Sequence, residues 1–351
     1  MTRQSQAASD NAVAVQALGD VTISQGIAPA EVTEMLGAIA RLTAASFPAF
    51  QEQINARFVL FEQKLEAKFQ DNKQASTQAF NDPDFHAALR IAYTGHARNP
   101  DIDVTDTLVE LIARRSLEDK RSRLSLSLNG AIERASRLTK NEFAALSLVF
   151  IMTRTLWHVS DLASYKARFK ADVVPLLPHI SHSPSSFEYL ATHACATIEI
   201  TVSPLLAIWH NGYGGLFSMD FEEAQLATLL SPETTALWRQ SFLLIPCLND
   251  HSRLQFAATT KDVLRQKTRP DVIPAAKLDE LWNMFQSTFM SQTEIVDLIA
   301  PDIPEVRTLV ELWEETELNQ LHLTSAGIAI GFSNLRRIDP NFDANLSIWI
   351  E

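Results

Sequence analysis

Glycine is scarce, at 10 residues of 351, where about 7% is usual. Phosphate loops, dinucleotide-binding turns and tight hairpins all depend on it. Accordingly, no GxxxxGKS/T loop occurs, and no GxGxxG follows a strand pattern. Cysteine is scarcer: Cys195 and Cys247 are the only two. That excludes a disulfide framework and fits a reduced, cytoplasmic setting. Long hydrophobic runs are missing as well. The best, 143–153, falls far short of the ~18 residues a span requires, so it reads as a buried helix and no integral membrane protein is expected. The opening MTRQSQAASDNAV has no apolar core of the kind a secretory signal carries. HExxH, CxxC, EF-hand and GxSxG patterns are absent too. No metal, cofactor or catalytic residue is therefore assigned.

What is present is apolar and helix-forming. Hydrophobic residues make up 46%, and Ala, Leu, Glu and Gln are abundant, which points to a mainly helical globular fold. The length suits one large domain or two ordinary ones. Net charge is −12, which disfavours nucleic acid and anionic lipid as partners except at a local basic patch. Such a patch exists. Residues 114–140 hold eight Lys or Arg and three acids, whereas 271–320 hold eleven acids and two bases. Arg114, Arg115, Lys120, Arg121 and Arg123 form its densest part. Without interleaved aromatics it is not a stacking surface for single strands.

Three regions follow along the chain: an N-terminal strand module (1–27), an amphipathic helical arm (28–75) and a helical body (76–351). In the first, Val13, Val15, Val21 and Ile23 alternate with small or polar residues around Gly19-Asp20. Period-2 alternation predicts a strand or hairpin. A lone hairpin is marginal in water, so this one needs a partner, either its own body or another copy. Pro29 and Glu31 open a helix to about 43. A second helix is predicted as far as 73. On it Phe47, Phe50, Phe58, Phe61 and Phe69, with Ile54 and Leu65, recur every three or four residues opposite a charged face. That stripe either joins copies of the chain or lies on its own core.

Further helices are expected at 84–96, 103–116, 117–137, 139–158, 160–181 and 186–210. Thr139 and Glu142 have capping-box spacing. A Pro/His/Ser-rich stretch, 175–184, is the best internal boundary. Beyond a turn at 211–215, helices are expected near 220–230, 232–244, 255–267, 275–289, 291–299, 303–317 and 328–337. Alternation over Leu346-Ser347-Ile348-Trp349-Ile350 predicts a short C-terminal strand. Candidate chemistry is thin. His179 and His182 sit three apart in a loop that fixes neither, and Cys195 and Cys247 lie in apolar surroundings that suit buried, unreactive thiols.

The N-terminal Gln16-Ala17-Leu18-Gly19-Asp20-Val21-Thr22-Ile23 resembles a short strand module that recurs in bacterial proteins. The tail Leu323-Thr324-Ser325-Ala326-Gly327-Ile328-Ala329-Ile330, through Leu346–Ile350, is similar to the ending of the same bacterial family, described as uncharacterised. Asp82-Pro83-Asp84, Arg115-Ser116, Leu138-Thr139 and Pro246-Cys247-Leu248 also resemble it. The resemblance implies a bacterial cytosolic protein and, by association, a link to anti-phage defence. The leading expectation is a non-enzymatic, homo-oligomerising interaction or sensor protein that engages a protein partner or phage component. The alternatives are an enzyme whose site converges only in three dimensions, and a peripheral membrane effector that exposes 143–157 or 196–209.

Overall fold

The computed structural model describes residues 29–45, 51–70, 74–99, 101–219, 221–258, 260–268, 273–342 and 344–350. The first half is a run of amphipathic helices: α1 (Pro29–Ala44), α2 (Gln51–Phe69), α3 (Pro83–Arg98), α4 (Ile102–Ser116), α5 (Arg123–Ala135), α6 (Lys140–Arg154), α7 (Leu162–Asp172) and α8 (Pro184–Thr192). Their starts follow from local chemistry. Asp82 caps α3, with Pro83 in its first turn. Asp101 caps α4, and the capping boxes Ser122–Ser125 and Thr139–Glu142 open α5 and α6. Each such side chain satisfies an amide that the helix leaves without a partner.

Next come β1 (Ala196–Ile198), α9 (Leu205–Tyr213), α10 (Glu223–Leu226), α11 (Pro232–Gln240), β2 (Leu244–Pro246), β3 (Leu254–Phe256), α12 (Lys261–Lys267) and α13 (Ala275–Gln286). The remaining elements are α14 (Gln292–Ile299), α15 (Val306–Glu315), β4 (Leu321–Leu323), α16 (Ser325–Ile338) and α17 (Ser347–Ile350). The described residues are thus mainly helical. Their strands form two antiparallel pairs, β1 with β4 and β2 with β3.

One helix organises the body. α16 packs against α4, α5 and α6, and its residues from Ala326 to Leu335 are all buried. Two glycines permit this. A Cβ on Gly327 would stand 1.8 Å from Cys195 O, and one on Gly331 would stand 2.7 Å from Leu146 O. Backbone therefore meets backbone where any side chain would intrude. Polar contacts pin the seam: Asn334 Nδ2 donates to Ser147 Oγ at 2.7 Å, and Ser147 Oγ donates to Phe143 O at 2.8 Å.

The described residues form two apolar cores. The larger runs from Val32 through Phe217 and resumes at Met290, spanning both sides of 175–184. The smaller belongs to 221–285 and includes Phe221, Trp238, Phe256, Trp282 and Phe285. The chain leaves and re-enters the body at one place. Ser218 and Phe289 form an antiparallel bridge, Met219 N donates to Thr288 O, and Met290 N donates to Phe217 O. The described residues of 218–289 thus form a lobe inserted through a two-segment hinge, with Leu248 also packed on the larger core.

Several expectations change: the helix expected near 255–267 opens as β3 before α12, and those over 117–137 and 160–181 shorten to α5 and α7. The helix predicted over 186–210 is broken. Ala194 takes a left-handed conformation, with φ 52°, and the β-branched run from Thr197 to Val202 supplies β1 before Pro204 opens α9. The C-terminal strand is instead the helical turn α17. Leu346 and Ile350 are both buried and four apart, whereas Ile348 is 69% exposed, so the alternation is really an i, i+4 pattern. Of the two readings of the α2 stripe, the described residues show packing within the chain, α1 and α2 lying against α3 and α4. The N-terminal strand expected over 11–24, with Val13, Val15, Val21 and Ile23, lies outside the described residues.

Gly327→Ala should destabilise the fold by about 2–3 kcal/mol, the cost typical of overpacking. A chemical-denaturation midpoint equal to that of the parent would show that the α16 contact yields freely.

Candidate functional site

A cavity of about 500 Å³ lies where α6, α7 and α9 meet. β1 ends just before this point, and Pro204 restarts the chain as α9. Ala207, Ile208 and Asn211 of α9 form one wall, Ile151 and Met152 of α6 another, and Val202, Ser203 and Pro204 a third. Aromatic rings close it. Tyr165 and Tyr213 meet edge to face at 4.9 Å, and Trp157 lies 5.5 Å from Tyr165. Hydrogen bonds fix the rings: Trp209 Nε1 donates to Tyr165 Oη at 3.0 Å, and Trp157 N donates to Tyr213 Oη at 2.9 Å. Among the described residues, no charged side chain lines the cavity. Burial pushes the Tyr213 phenol up to about 12 and raises that of Tyr165 as well, so both stay neutral.

Close to Tyr213 sits a charged group that sequence reasoning missed. Asp172, at the end of α7, is fully buried. Arg168 approaches it at 3.0 Å and reaches Asp339, at the end of α16, at 2.8 Å. Burial raises the Asp172 carboxyl to about 6; Arg168 opposes the rise and Asp339 adds to it.

The expected site residues scatter. Phe58, Phe61 and Phe69 are buried, with Ile54 and Leu65, on the inner face of α2. Phe58 and Phe61 meet Tyr93 edge-on or tilted, and Phe69 meets Phe80 and Phe85. These three rings are therefore core residues of their own chain. Phe47 and Phe50 lie outside the described residues.

The basic patch divides. Arg115 is 2% exposed, and its Nη2 donates to Asp82 and Asp84, each at 2.8 Å, while Nε donates to Asn129. It is a structural clamp; with Asn129 it holds the Asp84 carboxyl below its usual range. Arg114 pairs with Glu110 and lies over the Phe332 ring. Burial alone would raise Glu110, but Lys68, Arg336 and Arg114 together hold it below the normal value. Lys120, Arg121 and Arg123 remain exposed.

Cys195 is buried, and burial pushes its thiol up to about 11, as in an unreactive cysteine. Cys247 is buried too. His210 bonds Met290 O at 2.8 Å and faces Phe289. Among the described residues, no three His, Cys, Asp or Glu side chains gather closely enough to hold a metal ion. No helix among them is long and apolar enough to cross a membrane.

A family model described only as ":-like" matches residues 43–350, so the chain belongs to that family. The match begins inside α1 and takes in the body, the inserted lobe and α16. No curated protein matches. No solved structure matches either.

The Asp172 carboxyl carries a pH signature. Its value is about 6 in the folded chain against an ordinary 3.8, so between these limits the folded state holds the extra proton. Stability is therefore lost as pH rises from about 4 to about 6. Asp172→Asn should remove that loss, making the variant relatively more stable at pH 7 than at pH 4. Melting temperatures of both proteins across this window would test it; parallel curves would contradict the assignment.

Proposed function

We propose that the protein works by binding: it senses a small, uncharged, amphiphilic molecule in the α6–α7–α9 cavity and relays occupancy to the inserted lobe. The supporting observation is the double role of α9. Ala207, Ile208 and Asn211 line the cavity, while His210 of the same helix holds Met290, where the lobe's return strand joins the body. The chain runs from α9 through Phe217 straight into the outgoing strand. A molecule lodged against Ala207 therefore loads both hinge strands at once. The walls suit such a ligand, since aromatic and aliphatic surface surrounds a few polar groups: Thr153, Thr155, Ser203 and Asn211.

The proposed readout is association. Leu156 and Val202 on the cavity wall are 55% and 48% exposed, and Ile200, two residues before Val202, is fully so. Exposed apolar side chains of this kind favour a protein partner or a second copy. Val13, Val15, Val21 and Ile23 are the further contacts proposed for self-assembly. A role in bacterial phage defence rests on the resemblance of the two chain ends alone.

Native mass spectrometry of the full chain, gently purified from a bacterial host, tests this. The expected spectrum shows an extra mass of about 200–500 Da, the size a cavity of this kind accepts. Ala207→Phe should abolish the extra mass and alter hydrogen exchange at the hinge amides of Met219 and Met290. A bare 39.1 kDa species, with identical hinge exchange in both proteins, would refute the sensor reading. An integer multiple of that mass supports the association part.

A further inference from the structure

We propose that the groove between α5 and the start of α16 is a second binding site, specific for a small phosphate-bearing molecule of nucleotide size. Its volume is about 720 Å³, more than a bare phosphate fills and within the ligand range.

One wall is a single face of α5. Arg123, Ser127, Gly130 and Arg134 follow at spacings of four, three and four, so they stack along one side of the helix. Arg121 stands just before the Ser122 cap. The opposite wall is the first turn of α16, with Thr324, Ser325 and Ala326. The chain carries a net charge of −12, yet this lining holds three arginines and no acid. Dissolved anions are repelled by most of this protein and drawn here.

The groove is built rather than merely basic. Arg134 is held in place: its Nε donates to His193 O at 2.9 Å and its Nη1 to Gly130 O at 2.7 Å. Its Nη2 has no partner among the described residues and is left to meet a ligand. Ser127 is only 8% exposed as a residue and lines the groove between the two arginines of α5, where its hydroxyl can meet a bound oxygen. Across the groove, Thr324 Oγ1 takes the Gly327 amide at 3.2 Å, leaving the Ser325 and Ala326 amides at the positive end of the α16 dipole. Arg121 and Arg123 are exposed and free to fold over the phosphate. Leu126 and Ala194 offer apolar surface to the rest of the molecule.

Isothermal titration of the full chain with inorganic phosphate, AMP and adenosine tests the assignment. The expected result is one AMP site per chain, competition by phosphate and silence with adenosine. Arg121→Gln with Arg123→Gln should weaken AMP about tenfold or more, as loss of charge-assisted hydrogen bonds implies, with an unchanged melt. Ser127→Ala should weaken it by about threefold, and serves as the second variant should the double one misfold. The proposal fails if neither phosphate nor AMP binds at about 10 mM, where even a very weak site responds. It also fails if AMP affinity is unchanged in these variants, or if a short DNA oligonucleotide binds far more tightly than AMP.

Discussion

Everything in the body hangs on the close approach of α16 to its neighbours. At Gly327 the helix rests on the carbonyl of Cys195, and at Gly331 on that of Leu146. The first contact fixes the β1–β4 pair, because Thr324 N donates to Cys195 O and Leu323 pairs with Ala196. The second fixes α6. The far end of the helix changes character: Arg336 reaches Glu110 at 2.9 Å and Arg337 reaches Asp103 at 2.7 Å. α16 is therefore an apolar wedge at one end and a charged clamp at the other. Both buried acids are paired, as they must be, since a lone charge in such a place is prohibitively costly.

Both cavities are by-products of that arrangement. Holding the start of α16 against Cys195 leaves a trough beside α5. Drawing the chain into β1 ends α8 and forces a fresh helix, α9, to begin over the Trp157–Tyr165–Tyr213 rings. The cavities differ in kind. One is lined without charge and closed by aromatic rings; the other is cationic and open to solvent. A single chain thus offers two chemically distinct surfaces from one packing constraint.

Much of the helical order was legible because amphipathic period, caps and proline positions are local signals. Thr139–Glu142, Pro29 and Asp82-Pro83-Asp84 each mark a real helix start. What failed was non-local. The run from Thr197 to Val202 is β-branched at every position but Glu199, a visible hint against a helix, but Leu321–Leu323, the partner of Ala196–Ile198, lies far along the chain and no local rule names it. Leu346, Ile348 and Ile350 fit either period, and only the burial of two of the three decides. The stripe on α2 was correctly seen as apolar, yet the pattern says nothing about which surface it meets. Arg115 and Arg121 look alike in sequence; one is sealed by Asp82 and Asp84, the other faces water. The inserted lobe leaves no compositional trace, because both of its hinge strands are ordinary residues brought together by the fold.

The position of α16 along the chain also sets a schedule. Ser147 and Asn334, bonded across the seam, are separated by 187 residues. On a ribosome, α4, α5 and α6 emerge long before the helix that fills the space between them. The lobe of 218–289 closes its own core from residues near one another in the chain, so it can settle while the body still waits, against the usual N-terminal-first order. Until α16 arrives, the parts of α4 and α6 that it covers stay open. The unfinished body, rather than the finished protein, is where a chaperone would find its client.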